Sequence, residues 1–120
     1  MARQPFDELA TLDKRVHEPA RLAILTALTA CRGAKFTYLQ ALTGLTQGNL
    51  SVHLRKLEEA GFVVLERGFE GNYRNTLVRI TGPGRSAIDA HWKQLEALRR
   101  AAKHLNSRQL MVASPASAGR

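Results

Sequence analysis

Cysteine is almost missing from this 120-residue chain: Cys31 is its single representative. One cysteine makes neither an internal disulfide nor a cysteine-cluster zinc site. Aromatic residues amount to 6%, too few to line an extended base-stacking surface. Acidic residues number 10 against 18 Lys and Arg, leaving a net charge of +8. Such an excess points towards a polyanionic partner, although charge also serves solubility. No apolar run approaches the roughly 18 residues of a membrane helix. The opening Met-Ala-Arg-Gln-Pro-Phe-Asp-Glu lacks the apolar stretch of a signal peptide. Also missing are a glycine-rich phosphate loop, a nucleophile elbow and a paired-histidine metal helix. The expectation is a soluble, cytoplasmic, non-enzymatic domain with no membrane partner, cofactor or metal. What is present, 44% hydrophobic residues, is enough for one folded core.

Residues 1–6 are polar, include Pro5, and read as a flexible arm. From Asp7 a helical period is legible through Leu9, Leu12 and Val16. Pro19 fits the first turn of a second helix, where its missing N–H costs nothing. That helix runs to about Ala30 and carries Leu22, Ile24, Leu25 and Leu28, with Gly33 expected to end it. Thr37 and Gln40 have the spacing of a capping box, and Phe36 with Ala41 that of a hydrophobic staple. Thr43-Gly44 stops this short helix, and Thr46 caps another, over 46–60, closed by Gly61. Phe62–Arg67 and Asn75–Thr81 read as two strands joined by a long tip loop rich in Gly and Asn. A last helix is expected from about Pro83 to Leu105. Beyond it the Ser/Ala-rich end with Pro115 reads as disordered.

Two helices separated by a three-residue turn form a helix-turn-helix, whose first member braces the second. On helix 46–60, at about 100° per residue, Leu50, Leu54 and Leu57 share the core side. Gly48, Asn49, Val52, Arg55 and Lys56 fall opposite, with Ser51 on the boundary and Gln47 at the entrance. Amide side chains pair with adenine, Arg pairs with guanine, and Val meets a thymine methyl. Gly48 lets the backbone approach phosphates. His53 flanks the core and reads as a structural residue or a phosphate contact.

The stretch Leu45-Thr-Gln-Gly-Asn-Leu-Ser-Val-His-Leu-Arg-Lys-Leu-Glu-Glu-Ala-Gly-Phe-Val resembles the recognition helix and first wing strand of winged-helix regulators of the MarR/ArsR type. Arg79-Ile-Thr-Gly-Pro-Gly-Arg is similar to their strand-to-helix exit. The resemblance implies an α+β, mainly α fold: a winged helix-turn-helix with a two-stranded wing hairpin and a long C-terminal dimerisation helix. Residues 7–106 would form the DNA-binding and dimerisation domain, and 107–120 a disordered tail. The implied function is a sequence-specific, homodimeric repressor of transcription that binds double-stranded DNA. Its major-groove helix would present Thr46, Gln47, Gly48, Asn49, Ser51, Val52, Arg55 and Lys56. Its wing, 67–75, would offer Arg74 to the minor groove and Arg67 and Tyr73 to the backbone. Ile88, Trp92, Leu95, Leu98, Ala102 and Leu105 form an apolar stripe too long for a small monomer to cover, expected at the dimer interface. Any small-molecule effector would bind between the DNA-binding core and the dimer helices.

Metal-sensing members of the type need more ligands than this chain offers. Asp89 and His91 supply half of a helical zinc site, but Ala102 and Leu105 stand where the other half is required. Two rival functions remain. A winged-helix protein–protein module would need no basic reading face, against which Arg55, Lys56 and Arg74 speak. An RNA-binding winged helix would need stacking aromatics on this face, which has none.

The charge is not concentrated on the reading elements. Residues 46–80 hold 5 basic and 4 acidic groups, whereas residues 81–120 hold 7 and 2.

Overall fold

The computed structural model describes residues 11–70 and 73–118, with side chains described for 11–68 and 75–104. The chain divides into two compact units, Asp13–Ala90, and Met1–Leu12 with His91–Arg120. The elements are α1 (Pro19–Thr29), β1 (Ala34–Lys35), α2 (Phe36–Thr43), α3 (Gln47–Glu59), β2 (Val63–Glu70), β3 (Tyr73–Ile80) and α4 (Gly82–Ala118).

The core of the Asp13–Ala90 unit joins Ile24, Leu25 and Leu28 of α1 and Leu39 of α2. It adds Leu50, Leu54 and Leu57 of α3, Phe62 just before β2, Val63 and Val78 of the sheet, and Ile88 of α4. α1 and α3 contribute residues at three- and four-residue spacing, as an amphipathic helix on a core must. Ile88 is 3% exposed here, so its place at a dimer interface is corrected: its own fold already buries it.

The helical period expected across Leu12 and Val16 is replaced by a turn. The N–H groups of Val16 and His17 both donate to the Asp13 carbonyl, at 3.0 and 2.7 Å. The Asp13 carboxylate accepts the Arg15 N–H at 2.9 Å and its guanidinium at 2.8 Å. That guanidinium holds the Asp13 carboxyl below the usual carboxylate range, against a smaller opposing effect of burial. It also lies over the Phe62 ring, 4.9 Å from its centre. Glu18 must then be extended because a proline follows it, and it is, at φ −157° and ψ 133°. Its carboxylate accepts the Arg21 N–H at 2.8 Å, capping α1 with Pro19 in the first turn. The part of the expected helix before Thr11, and the arm at 1–6, lie outside the described residues.

The capping box at Thr37 and Gln40 does not form. The N-cap of α2 is Lys35, with no side-chain cap bond. The cause is β1, a two-residue strand not foreseen in the sequence. It pairs Ala34 with Val78 and Lys35 with Leu77, holding the backbone extended until Phe36. Gly33, expected to end α1, instead sits where a Cβ would press on Leu77 at 3.2 Å and on Arg79 at 3.3 Å. The sheet is therefore three-stranded and antiparallel, in the order β1-β3-β2.

Other signals hold. Gly44 ends α2 at φ 72°, and the Thr46 hydroxyl caps α3 by accepting the Asn49 N–H at 3.1 Å. At the end of α3 the Gly61 N–H reaches the Glu58 carbonyl and the Phe62 N–H the Leu57 carbonyl, both at 2.9 Å. With Gly61 at φ 81° this is a Schellman motif, and buried Phe62 and Leu57 supply its apolar contact.

The hairpin is longer than expected. β2 and β3 pair from Val63↔Ile80 to Glu70↔Tyr73, so most of the stretch between Arg67 and Asn75 that was read as a tip loop is ladder. Gly68, counted there as a turn glycine, pairs with Asn75.

The junction of β3 with α4 explains the Thr-Gly-Pro-Gly sequence. The Thr81 hydroxyl donates to the Gly61 carbonyl at 2.6 Å and accepts the Gly84 N–H at 3.0 Å. The Thr81 N–H donates to the Phe62 carbonyl at 3.0 Å. One threonine thus ties the end of α3 to the start of α4. α4 then runs past the expected end at Leu105, its backbone helical to Ala118. From Ser107 to Ser114 no Gly or Pro stands in the chain, so no residue there forces a stop.

In the other unit Leu12 and His91 are buried. The Gln94 amide donates to the Thr11 hydroxyl at 3.1 Å, and the His91 and Trp92 rings meet edge to face at 5.1 Å. Among the described residues no helix is long and apolar enough to cross a membrane.

Candidate nucleic-acid interface

α3 is held from beneath by Leu50, Leu54 and Leu57, all at most 1% exposed. That anchoring fixes which side chains point away. Thr46, Gln47, Gly48, Asn49, Ser51, Val52, Arg55 and Lys56 are all exposed, as the sequence indicates. Val52 is 37% exposed, an apolar side chain left in water.

The exposed residues form two adjacent rows at four-residue spacing. Gln47, Ser51 and Arg55 make one, and Gly48, Val52 and Lys56 the other. The first row faces the hairpin across an open groove of 490 Å³, lined also by Leu65, Arg67, Asn75 and Thr76. α2 closes it with Phe36, Thr37 and Gln40. The side chains freed by the missing capping box thus line the same groove as the reading row. Thr37, Gln40, Asn75 and Thr76 were not among the expected site residues. The only sequence signal for them was polarity on short elements flanking the helix-turn-helix.

The groove combines amides, hydroxyls and guanidinium groups, the donor set that reads base edges and phosphates. Glu58 at its rim is the one carboxylate lining it. Among the described residues no ion pair engages Arg55, Lys56 or Arg67. Arg79, by contrast, is paired with Glu66 at 3.1 Å. The basic groups of α3 and β2 are therefore available to an external anion.

His53 belongs to the support. Its side chain is 20% exposed, with Nδ1 3.8 Å from a Glu18 oxygen, directed at the cap of α1 and away from the reading rows. Cys31 is half-buried, its thiol 3.5 Å from the Ala27 carbonyl. Arg67 is exposed on β2. Tyr73 and Arg74 are on β3, opposite Glu70 and Phe69, and their side chains lie outside those described.

On α4, Leu95, Leu98 and Ala102 are half-buried. Trp92 is 46% exposed and, at about 100° per residue, stands roughly 60–120° around the helix from them. Of the stripe drawn from the sequence, Ile88 is in the core, and Trp92 stands at the edge of the row formed by the others. Leu105 lies outside the described side chains.

Residues 20–99 match the winged helix DNA-binding domain family. An uncharacterized protein of Methanocaldococcus jannaschii is 40% identical over 68 residues, 57% of this chain and 74% of that protein. The solved structure of a transcriptional regulator homologue from Pyrococcus horikoshii has 30% identity and a TM-score of 0.65, covering 83% of this chain and 98% of that one. The transcriptional repressor CouR, solved on a 23-mer DNA duplex, shares the fold at 22% identity and a TM-score of 0.59, over 94% of this chain and 87% of its own. Solved regulators of the MarR and ArsR families, both below 25% identity, share it too.

Proposed function

The chain belongs to the winged helix DNA-binding domain family, and we propose that it is a sequence-specific regulator of transcription that reads duplex DNA as a homodimer. The observation that carries this reading is the groove in which Gln47, Ser51 and Arg55 of α3 stand beside Arg67 of β2. None of its basic groups is consumed by an ion pair among the described residues. α3 enters the major groove, which is about 12 Å wide, with Gly48 admitting the phosphate backbone and Asn49 and Arg55 reading base edges. The hairpin lies along the adjacent minor groove with Arg74 inserted, where a narrow groove attracts arginine. Repression follows the example of CouR, a repressor of the same fold found on DNA.

Leu95, Leu98, Ala102 and Leu105 of α4 pair with the same row of a second copy. A twofold pair sets two copies of α3 roughly 34 Å apart, one turn of duplex. Selection of bound duplexes from a random-sequence library tests this directly. The expected product is a palindrome with half-sites one turn apart. A pool that remains random after repeated rounds contradicts sequence-specific reading.

A further inference from the structure

The charge excess that the reading elements do not carry is concentrated on one face of α4. Between His91 and His104, Lys93, Arg99, Arg100 and Lys103 are exposed, and Glu96 is the sole acid. At about 100° per residue, Arg99, Lys103, Glu96, Arg100 and Lys93 fall within a sector of roughly 120°. Trp92 falls inside that sector, and Leu95, Leu98 and Ala102 fall outside it. Asp89, one turn earlier, falls within the same sector at its N-terminal end, and Asp89 and Lys93 each have an interaction of their own, so the unopposed charge of the face rests on Arg99, Arg100 and Lys103. Glu96 does not neutralise the face. It lies 3.8 Å from Arg99 and 3.9 Å from Arg100, with the two guanidinium side chains 67% and 65% exposed, and ion pairs this open hold little. Trp92, 46% exposed, is held in place by the buried His91 ring.

A solvated helix face has no use for a half-exposed tryptophan among four cations. A nucleic acid does: phosphates take the cations, and an indole lies against sugar or base. From Lys93 to Lys103 the helix rises about 15 Å, a length of duplex carrying roughly nine phosphates. We infer that the Trp92, Lys93, Arg99, Arg100, Lys103 face of α4 is a second, sequence-independent contact with the DNA backbone, separate from the reading groove of α3. This rests on the reading of the chain as a duplex-DNA binder, and it assigns to α4 the non-specific part of that binding. The face is centred about 130° around the helix from the Leu95, Leu98, Ala102 row, so the same helix can also pair with a second copy.

Trp92 is the only tryptophan in the chain and therefore reports on this face alone. Titration of the full-length protein with random-sequence duplex at low salt is expected to quench its fluorescence. The Lys93→Gln, Arg99→Gln, Arg100→Gln, Lys103→Gln variant is expected to lose that quenching. Its affinity for random duplex should fall about tenfold or more, and the slope of log affinity against log salt should become shallower by about 3, near 0.9 per lost phosphate contact. The preference for selected over random duplex should survive. The milder Arg100→Gln, Lys103→Gln variant should lose about half of the slope change and serves should the fourfold variant not fold. Unchanged fluorescence, affinity and slope would overturn the inference. Quenching by phosphatidylserine vesicles but not by duplex would overturn it as well. An Asn49→Ala, Arg55→Ala variant separates the two sites. It should lose the preference for selected duplex yet keep the quenching by random duplex, so that failure of base reading is seen apart from failure of the α4 contact.

Discussion

Gly48 shows how function and stability part company at a single residue. It stands at the second position of α3, outside the positive-φ glycines, and nothing lies within 4 Å of where its Cβ would be. Neither backbone strain nor packing asks for glycine there. An alanine would raise helix propensity, stabilising the fold by up to about 1 kcal/mol. The reading proposed above gives the glycine its reason: a bare backbone lets phosphates come close. Gly48→Ala is therefore expected to raise the thermal midpoint and lower affinity for selected duplex. A rise in stability with affinity unchanged would remove Gly48 from the interface. Gly84 is the opposite case. Its Cβ would land on the Phe62 carbonyl oxygen and 2.9 Å from the Ile80 side chain, where backbone cannot give way. Gly84→Ala is expected to cost about 1–3 kcal/mol or more in urea unfolding. Gly82→Ala, facing open space, is the matched control and should change little. Equal effects of the two would contradict the close approach of α4 to the end of α3.

At the scale of elements, what was legible depended on whether the cause was local. Thr46, Gly44 and Gly61 act within their own helix ends, and the sequence places all three correctly. The leucine row of α3 likewise orients its opposite face, so every exposed residue expected on that helix is exposed. The failures trace to partners distant in sequence. The Thr37–Gln40 box is a sound local signal, but pairing of Ala34 and Lys35 with Leu77 and Val78 starts α2 two residues earlier than such a cap requires. The same strand gives Gly33 a packing role against β3 in place of a helix stop. The hairpin tip was misjudged because Gly68 favours turns locally, whereas its ladder pairing with Asn75 outweighs that preference. The groove residues Thr37, Gln40, Asn75 and Thr76 are neighbours only once β3 has been laid between β1 and β2. No spacing rule within one segment reveals them.

For the whole molecule, the distribution of charge and apolar surface divides the labour. α3 and the hairpin, to which recognition is assigned by the proposed function, carry almost no net charge, while α4 holds cations on one side and Leu95, Leu98 and Ala102 on another. The proposed pairing through that second row predicts a dimer by sedimentation at micromolar concentrations, with Leu95→Glu, Leu98→Glu shifting the population to single chains and weakening binding to a two-half-site duplex. A wild-type chain that sediments as a monomer throughout would contradict the pairing while leaving a single reading helix intact. The central claim is that α3 reads bases, and competition binding tests it most directly. Wild-type protein and the Asn49→Ala, Arg55→Ala variant are titrated on the selected duplex against an excess of random duplex, at one salt concentration. Each bidentate contact is worth about 1–3 kcal/mol of discrimination, so the variant is expected to lose at least about tenfold of its preference while its affinity for random duplex changes far less. A variant that discriminates as well as the wild type would show that the bases are read by some other element.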